Sequence, residues 1–222
     1  MSELTEYITN ILPQTGGKLG EIERAARAEG LPIIPADAAA FLKTLLSVAV
    51  PSRILEIGCC IGFSAMLMAE TLPEAHITTI DRYEIMIDAA RENFRKTGLA
   101  DRITLIAGDA LKVLEILTQS PIAPRYDFIF MDAAKGQYIN MLPFCMELLR
   151  TGGVLLADDC FQGGSVAGER LRVKRRNRTT HTRMNEFLAK VCGTKGLRTS
   201  LIPLGDGLAL VHKTNEYGGL SL

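Results

Sequence analysis

Carboxylates close one β-rich apolar run after another along this chain. Glu56 stands near the end of 53–57, Asp81 follows 77–80, Asp109 follows 103–106, Asp132 follows 128–131, and the pair Asp158-Asp159 follows 154–157. A single acid at a strand end is commonly no more than a helix N-cap. Acids after four successive runs resist that reading, because parallel strands bring such ends to one edge of a sheet, where open α/β folds bind ligands. Asp132, Asp158 and Asp159 can then converge. Three oxygen donors without imidazole or thiolate suit a hard cation, Mg²⁺ or else Mn²⁺ or Ca²⁺, rather than zinc.

Between the first run and the next helix lies Gly58-Cys59-Cys60-Ile61-Gly62-Phe63-Ser64. Its two glycines free the backbone to turn tightly and let a ligand approach. The spacing G-x-x-x-G lacks the middle glycine that makes room for a pyrophosphate, which disfavours a nicotinamide or flavin enzyme. Asp81 is placed to accept two ribose hydroxyls, and Asp109-Ala110 offers a carboxylate and a small residue beside an adenine edge. On its own, the glycine turn is an ordinary strand-to-helix connection.

Positioning these groups requires alternating elements. Helical periodicity over 19–28 and 36–48 precedes the first run. Strands at 53–57, 77–80, 103–106, 128–131 and 154–157 then alternate with helices beginning at Gly62 and spanning 84–96, 110–117 and 139–149. Continuous apolar strands between amphipathic helices indicate a parallel sheet buried on both faces. The short runs 199–204 and 208–213, joined by Gly205-Asp206-Gly207, predict a closing antiparallel hairpin. Only the connection 159–177 reads as irregular, and loops of that length are often functional.

Composition narrows the class. Of 222 residues, 47% are hydrophobic and 23% charged, ordinary for a globular protein, and no run approaches the roughly 18 apolar residues of a membrane span. The acidic N-terminal stretch lacks the basic-then-apolar order of a secretory signal, so a cytoplasmic location is the default expectation. Five cysteines without a C-x-x-C pair argue against disulfides or zinc. His76, His181 and His212 show no ligand spacing. Formal net charge is zero, yet seven of the 25 Lys and Arg fall within 170–183, leaving 18 against 25 acids elsewhere, a net of about −7.

Leu55-Glu56-Ile57-Gly58, Gly62-Phe63-Ser64, Thr79-Ile80-Asp81, Gly108-Asp109-Ala110, the string 131–138 (MDAAKGQY) and Gly205-Asp206-Gly207 together resemble the metal-dependent O-methyltransferases that include catechol and caffeoyl-CoA methyltransferases. The likeness covers about 31–213. It implies a Rossmann-like α/β methyltransferase with a mostly parallel seven-stranded sheet, N-terminal helices over 1–50 packing on the 51–222 core and on a partner subunit, and a homodimer. It implies S-adenosyl-L-methionine as cofactor, with Gly58 and Ser64 on its methionine part, Asp81 on the ribose, Asp109 and Ala110 on the adenine, Glu56 close behind, and Gly62 and Asp132 also among the cofactor-binding residues.

The same likeness assigns the metal to Asp132, Asp158 and Asp159, with Asp132 and Lys135 as the catalytic pair. Lys135 would be the base, its pKa depressed by the nearby cation and sulfonium. A merely solvated lysine is unfavourable at the positive end of a helix dipole. The family pattern has Asp-Asn where this chain has Asp158-Asp159, so the third ligand here is charged. Tyr138, Arg175, Arg176 and Arg178 are expected on the substrate side. The basic run leaves three readings beyond a solvated loop: a grip on an anionic small molecule such as a coenzyme A thioester, a dimer surface, or contacts to tRNA phosphates. Residues 174–187 also resemble the bacterial branch that methylates 5-hydroxyuridine in the tRNA anticodon loop. The acceptor is thus a hydroxylated aromatic small molecule or tRNA, and a non-catalytic cofactor-binding module is the alternative from another class.

Overall fold

The computed structural model describes residues 3–122 and 124–220. Met1 and Ser2, which open the acidic N-terminal stretch, and Ser221 and Leu222, at the end of the expected core, lie outside them, as does Ala123. Three helices, α1 (Glu3–Ile11), α2 (Gly17–Ala28) and α3 (Ala36–Ala49), precede the sheet. The alternation β1 (Arg53–Ile57), α4 (Phe63–Thr71), β2 (His76–Asp81), α5 (Glu84–Thr97), β3 (Ile103–Ala107), α6 (Ala110–Gln119), β4 (Tyr126–Met131), α7 (Tyr138–Leu148) and β5 (Leu149–Ala157) follows. A helix α8 (Arg178–Gly193) leads into β6 (Leu197–Ile202) and β7 (Leu208–Lys213).

Seven strands form one sheet in the order β3-β2-β1-β4-β5-β7-β6. β1 to β5 run parallel, and β7 inserts antiparallel between β5 and β6. The reversal of strand order between β1 and β4 creates the crevice at which such sheets bind ligands.

Strand residues alternate between two apolar layers, as a period of two requires. Ile54, Phe128, Phe130 and Leu156 face the layer shared with α2 to α5, while Leu55, Ile57, Ile129, Met131 and Leu155 face that of α6 to α8. Leu19, Ala26, Leu42 and Leu46 of α2 and α3 belong to the first layer, so the N-terminal helices share the sheet's own core. Among the described residues, no helix is long and apolar enough to cross a membrane.

Two helices are absent from the sequence reading. α1 carries Leu4, Tyr7, Ile8 and Ile11 at helical spacing in its sequence, a short stripe that the reading passed over. α8 carries one too, with His181, Met184, Phe187, Leu188 and Val191 buried at helical spacing, but its first residues belong to the basic run, which drew the eye to charge instead of period. The connection before it holds only three short turns of 3-10 helix, at Ser165–Ala167, Arg170–Arg172 and Arg175–Asn177.

Candidate active site

A cavity of about 1200 Å³ lies along the C-terminal edge of the parallel strands. Gly58 and Ser64, Asp81, Asp109 and Ala110, and Asp132, Lys135, Asp158 and Asp159 all line it. Residues 32–35, before α3, add a wall from outside the sheet. The sequence offered no sign of this wall, because two prolines at a helix boundary read as punctuation.

The glycine turn is shaped by its neighbours. A Cβ on Gly58 would stand 1.9 Å from the Asp132 carbonyl oxygen, at a φ of +103°, so β4 presses on the turn too closely for any side chain. Gly62, the second glycine of the turn, is packed differently. It is not among the cavity-lining residues, and a Cβ there would meet the Phe94 ring of α5 at 2.3 Å, so it admits a helix instead of a ligand. Asp81 braces the turn: one oxygen accepts from the amides of Cys59 (3.1 Å) and Cys60 (2.8 Å), the other from Arg82 (2.7 Å) and Tyr83 (3.0 Å). Four N–H groups fill the four acceptor sites of a carboxylate, so a ribose would have to share them. Asp109 caps α6 while also lining the cavity, so capping does not remove it from the crevice.

Glu56 is fully buried behind the turn and does not line the cavity. One oxygen accepts from the Thr79 hydroxyl and the other, Oε1, has no hydrogen-bond partner among the described residues. Burial pushes its carboxyl from 4.5 up to about 8, the Ser64 and Thr79 hydroxyls oppose, and the charges of Asp132 and Asp81 add to the rise. Between these values the folded chain holds a proton that the unfolded chain has lost, so this group favours folding at low pH, and that stability is lost as pH rises through about 8. Glu56→Gln should flatten the fall in melting temperature between about pH 6 and about pH 8.5. Identical pH profiles for the two proteins would remove the assignment.

Asp132 and Lys135 after β4, and Asp158 and Asp159 after β5, line the same cavity. Lys135 opens a 3-10 turn, Lys135–Gln137, directly after β4. Its ammonium lies 2.6 Å from Asp132 Oδ1 and 3.0 Å from Asp159 Oδ2. Burial opposes this charge, but the Tyr138 phenol, Asp132 and Asp159 outweigh it and hold the lysine's pKa above its ordinary value. The depressed pKa expected for a base is therefore not a property of the protein's own charges. Asp158 is 1% exposed, and burial, then the charges of Asp132 and Asp159, push its carboxyl up to about 7.

Asp159 adopts a left-handed φ of 54°, a conformation that Asn and Asp tolerate best, so the local turn admits the exchange of the family's Asn for Asp. The hairpin holds this loop: the Cys160 and Phe161 amides donate to the Gly207 and Asp206 carbonyls, and the Gly163 amide to the Asp206 carboxylate. The donor set fits a hard divalent cation by its chemistry, with three carboxylates and neither imidazole nor thiolate. Among the described residues, however, no three acidic, His or Cys side chains already form a metal nest, since Asp132 and Asp159 close around the ammonium.

Tyr138, expected on the substrate side, is not among the cavity-lining residues. It is fully buried, and its hydroxyl lies 3.1 Å from the Met131 carbonyl and 3.0 Å from that of Asp158, tying together the ends of β4 and β5. Phe187 of α8 packs edge-on against its ring at 5.4 Å. It positions the acids. Arg178 is likewise structural, its guanidinium donating to the Val173 and Leu171 carbonyls, and Arg183 donates to the carbonyl of Gly136 beside Lys135. Arg175 and Arg176, with Lys174, are exposed and have no partner among the described residues, but they do not line the cavity. The cysteines are all free thiols, with Cys59, Cys145 and Cys160 buried.

A doubly wound sheet of this strand order, with a glycine turn and carboxylates around one crevice, defines a Rossmann-like methyltransferase. Residues 19–214 match the family model described as O-methyltransferase, and the chain belongs to that family. It is 28% identical over 214 residues to a caffeoyl-CoA O-methyltransferase of Populus kitakamiensis, covering 93% of this chain and 91% of that one. A caffeoyl-CoA O-methyltransferase of Stellaria longipes is 26% identical over 220 residues, at 95% and 90% coverage. Among solved structures, the SAH-bound methyltransferase PaMTH1 of Podospora anserina superposes with a TM-score of 0.82 at 25% identity, covering 96% of this chain and 94% of that one.

Proposed function

We propose that this enzyme moves the methyl group of S-adenosylmethionine to an aromatic hydroxyl held at a divalent cation. The observation that carries the reading is the Lys135 ammonium between Asp132 and Asp159, with Asp158, in the lining of the same cavity that Gly58, Ser64, Asp81 and Asp109 line. The SAH-bound neighbour supports the S-adenosyl donor.

Asp132, Asp158 and Asp159 would hold the cation. Bound there, it would polarise the acceptor hydroxyl and repel the Lys135 ammonium, lowering the proton affinity of both. Once that ammonium has released a proton to solvent through the cavity, the neutral Nζ of Lys135 would take the hydroxyl proton. Tyr138 keeps the strand ends aligned, and the Gly58 turn sets the donor's methyl in line with the oxygen.

The acceptor is a small hydroxylated aromatic, in keeping with the names of the plant relatives, and Lys174, Arg175 and Arg176 suit an anionic tail on it. Incubating the enzyme with labelled methyl donor against catechols, phenols, their coenzyme A thioesters and unmodified tRNA tests this. Transfer to the thioesters that weakens with salt is the expected result. Transfer to tRNA alone, with a steep salt slope, would replace the small-molecule acceptor by RNA.

Asp81→Ala should weaken S-adenosylmethionine binding by about 1–3 kcal/mol, because the ribose loses its acceptor and the Cys59-Cys60 amides lose their brace. Titration calorimetry on the folded variant checks it. Unchanged affinity would place the ribose elsewhere.

A further inference from the structure

We propose that Lys135 and a divalent cation compete for the same carboxylate oxygens, so that the lysine sets how tightly the enzyme takes its metal. The inference rests on the metal reading above and adds to it. The ammonium has three N–H groups and three oxygens around it: Asp132 Oδ1 at 2.6 Å, Asp159 Oδ2 at 3.0 Å and Tyr138 Oη at 3.4 Å. It is saturated as a small bound cation would be. At 19% side-chain exposure, water screens it poorly.

The surroundings let the side chain move while its backbone stays. The Lys135–Gln137 turn is held by the Gln137 amide on the Ala134 carbonyl at 2.8 Å and by Arg183 on the Gly136 carbonyl at 3.1 Å. Tyr138 is fixed by two carbonyls. Lys135, Ala133, Ala134 and Gln137 all line the cavity, so the ammonium has open space into which it can swing toward the acceptor. Displacement by a cation thus delivers the lysine to the place where a proton must be received.

Asp159 makes the competition sharper in this chain. Were residue 159 an Asn, only Asp132 would give the ammonium a formal charge to pair with; here it bridges two. Three carboxylates and one ammonium leave a formal charge of −2, which a dication neutralises.

The test is Mn²⁺ binding without donor or acceptor, followed by titration calorimetry and by loss of the free-ion electron paramagnetic resonance signal. Lys135→Met should bind Mn²⁺ about tenfold or more tighter than wild type, because a like charge at contact distance is gone. Lys135→Arg, which keeps the charge, should bind no tighter than wild type. Lys135→Gln serves the same purpose should the Met variant melt early. Equal affinities for wild type and the neutral variants, or tightening by Arg as well, would overturn the competition while leaving the metal reading intact. Failure of both wild type and neutral variants to bind Mn²⁺ would overturn both.

Discussion

Exhaustive removal of divalent cations is expected to abolish methyl transfer while S-adenosylmethionine still binds within a few-fold of its original affinity. The two functions draw on different residues of one cavity lining. Gly58, Ser64, Asp81 and Asp109 make the donor's part of it from backbone turns and strand termini. Asp132, Asp158 and Asp159 add three carboxylates to the lining, and burial with the charges of Asp132 and Asp159 pushes Asp158 up to about 7, a rise that a dication would oppose. Lewis-acid activation supplies several kcal/mol to the transition state, and about 4 kcal/mol corresponds to roughly a thousandfold in rate. Adding Mg²⁺ or Mn²⁺ back should restore turnover. In the same assay, Lys135→Ala should lower kcat by about 10² to 10⁴ with little change in donor affinity, the span for loss of a general base. Full turnover after chelation would end the metal mechanism, and full turnover in Lys135→Ala would end the role of the lysine.

Gly58→Ala should be the most damaging single-methyl addition in the site. The new Cβ would stand 1.9 Å from the Asp132 carbonyl oxygen, and the residue would also be forced to hold a φ of +103°. Both partners are backbone, so neither can turn aside. A strained dihedral alone costs about 1–3 kcal/mol, and a backbone clash brings the sum to on the order of 4 kcal/mol or else opens the turn. Because Asp132 sits on the other side of that contact, donor binding and cation placement should suffer together. Gly62→Ala is the informative contrast: its clash is with the Phe94 ring, so repacking of α4 on α5 should take most of the damage and leave the donor's affinity nearer normal. Urea denaturation and donor calorimetry on both variants decide the matter, and a Gly58→Ala protein with wild-type stability and affinity would show that β4 does not press on the turn.

Much of this was legible in the chain. Strand and helix periods, the closing hairpin and the carboxylates at strand ends follow from local rules, since period and turn chemistry are written within a few residues of each other. Parallel strands then force those carboxylates to one edge, which is why Asp132, Asp158 and Asp159 can be grouped without coordinates. The resemblance of the string 131–138 to a known family reached further than the residues alone.

Other assignments depended on which way side chains point after packing. Tyr138 and Lys135 lie three residues apart in one motif, yet one is buried between two strand ends and the other stands on the cavity wall. Arg175 and Arg178 lie in one basic run, yet Arg178 spends its donors on loop carbonyls and Arg175 has none among the described residues to bind. Gly58 and Gly62 share one turn, but β4 abuts the first and α5 the second. The sequence by itself determined the fold class, the edge at which the chemistry lies and the residue types available there, because these rest on local periodicity and chain direction. Only the tertiary structure decided that the Lys135 ammonium stands between Asp132 and Asp159, because that depends on how β4 and β5 meet and on what α8 packs against them.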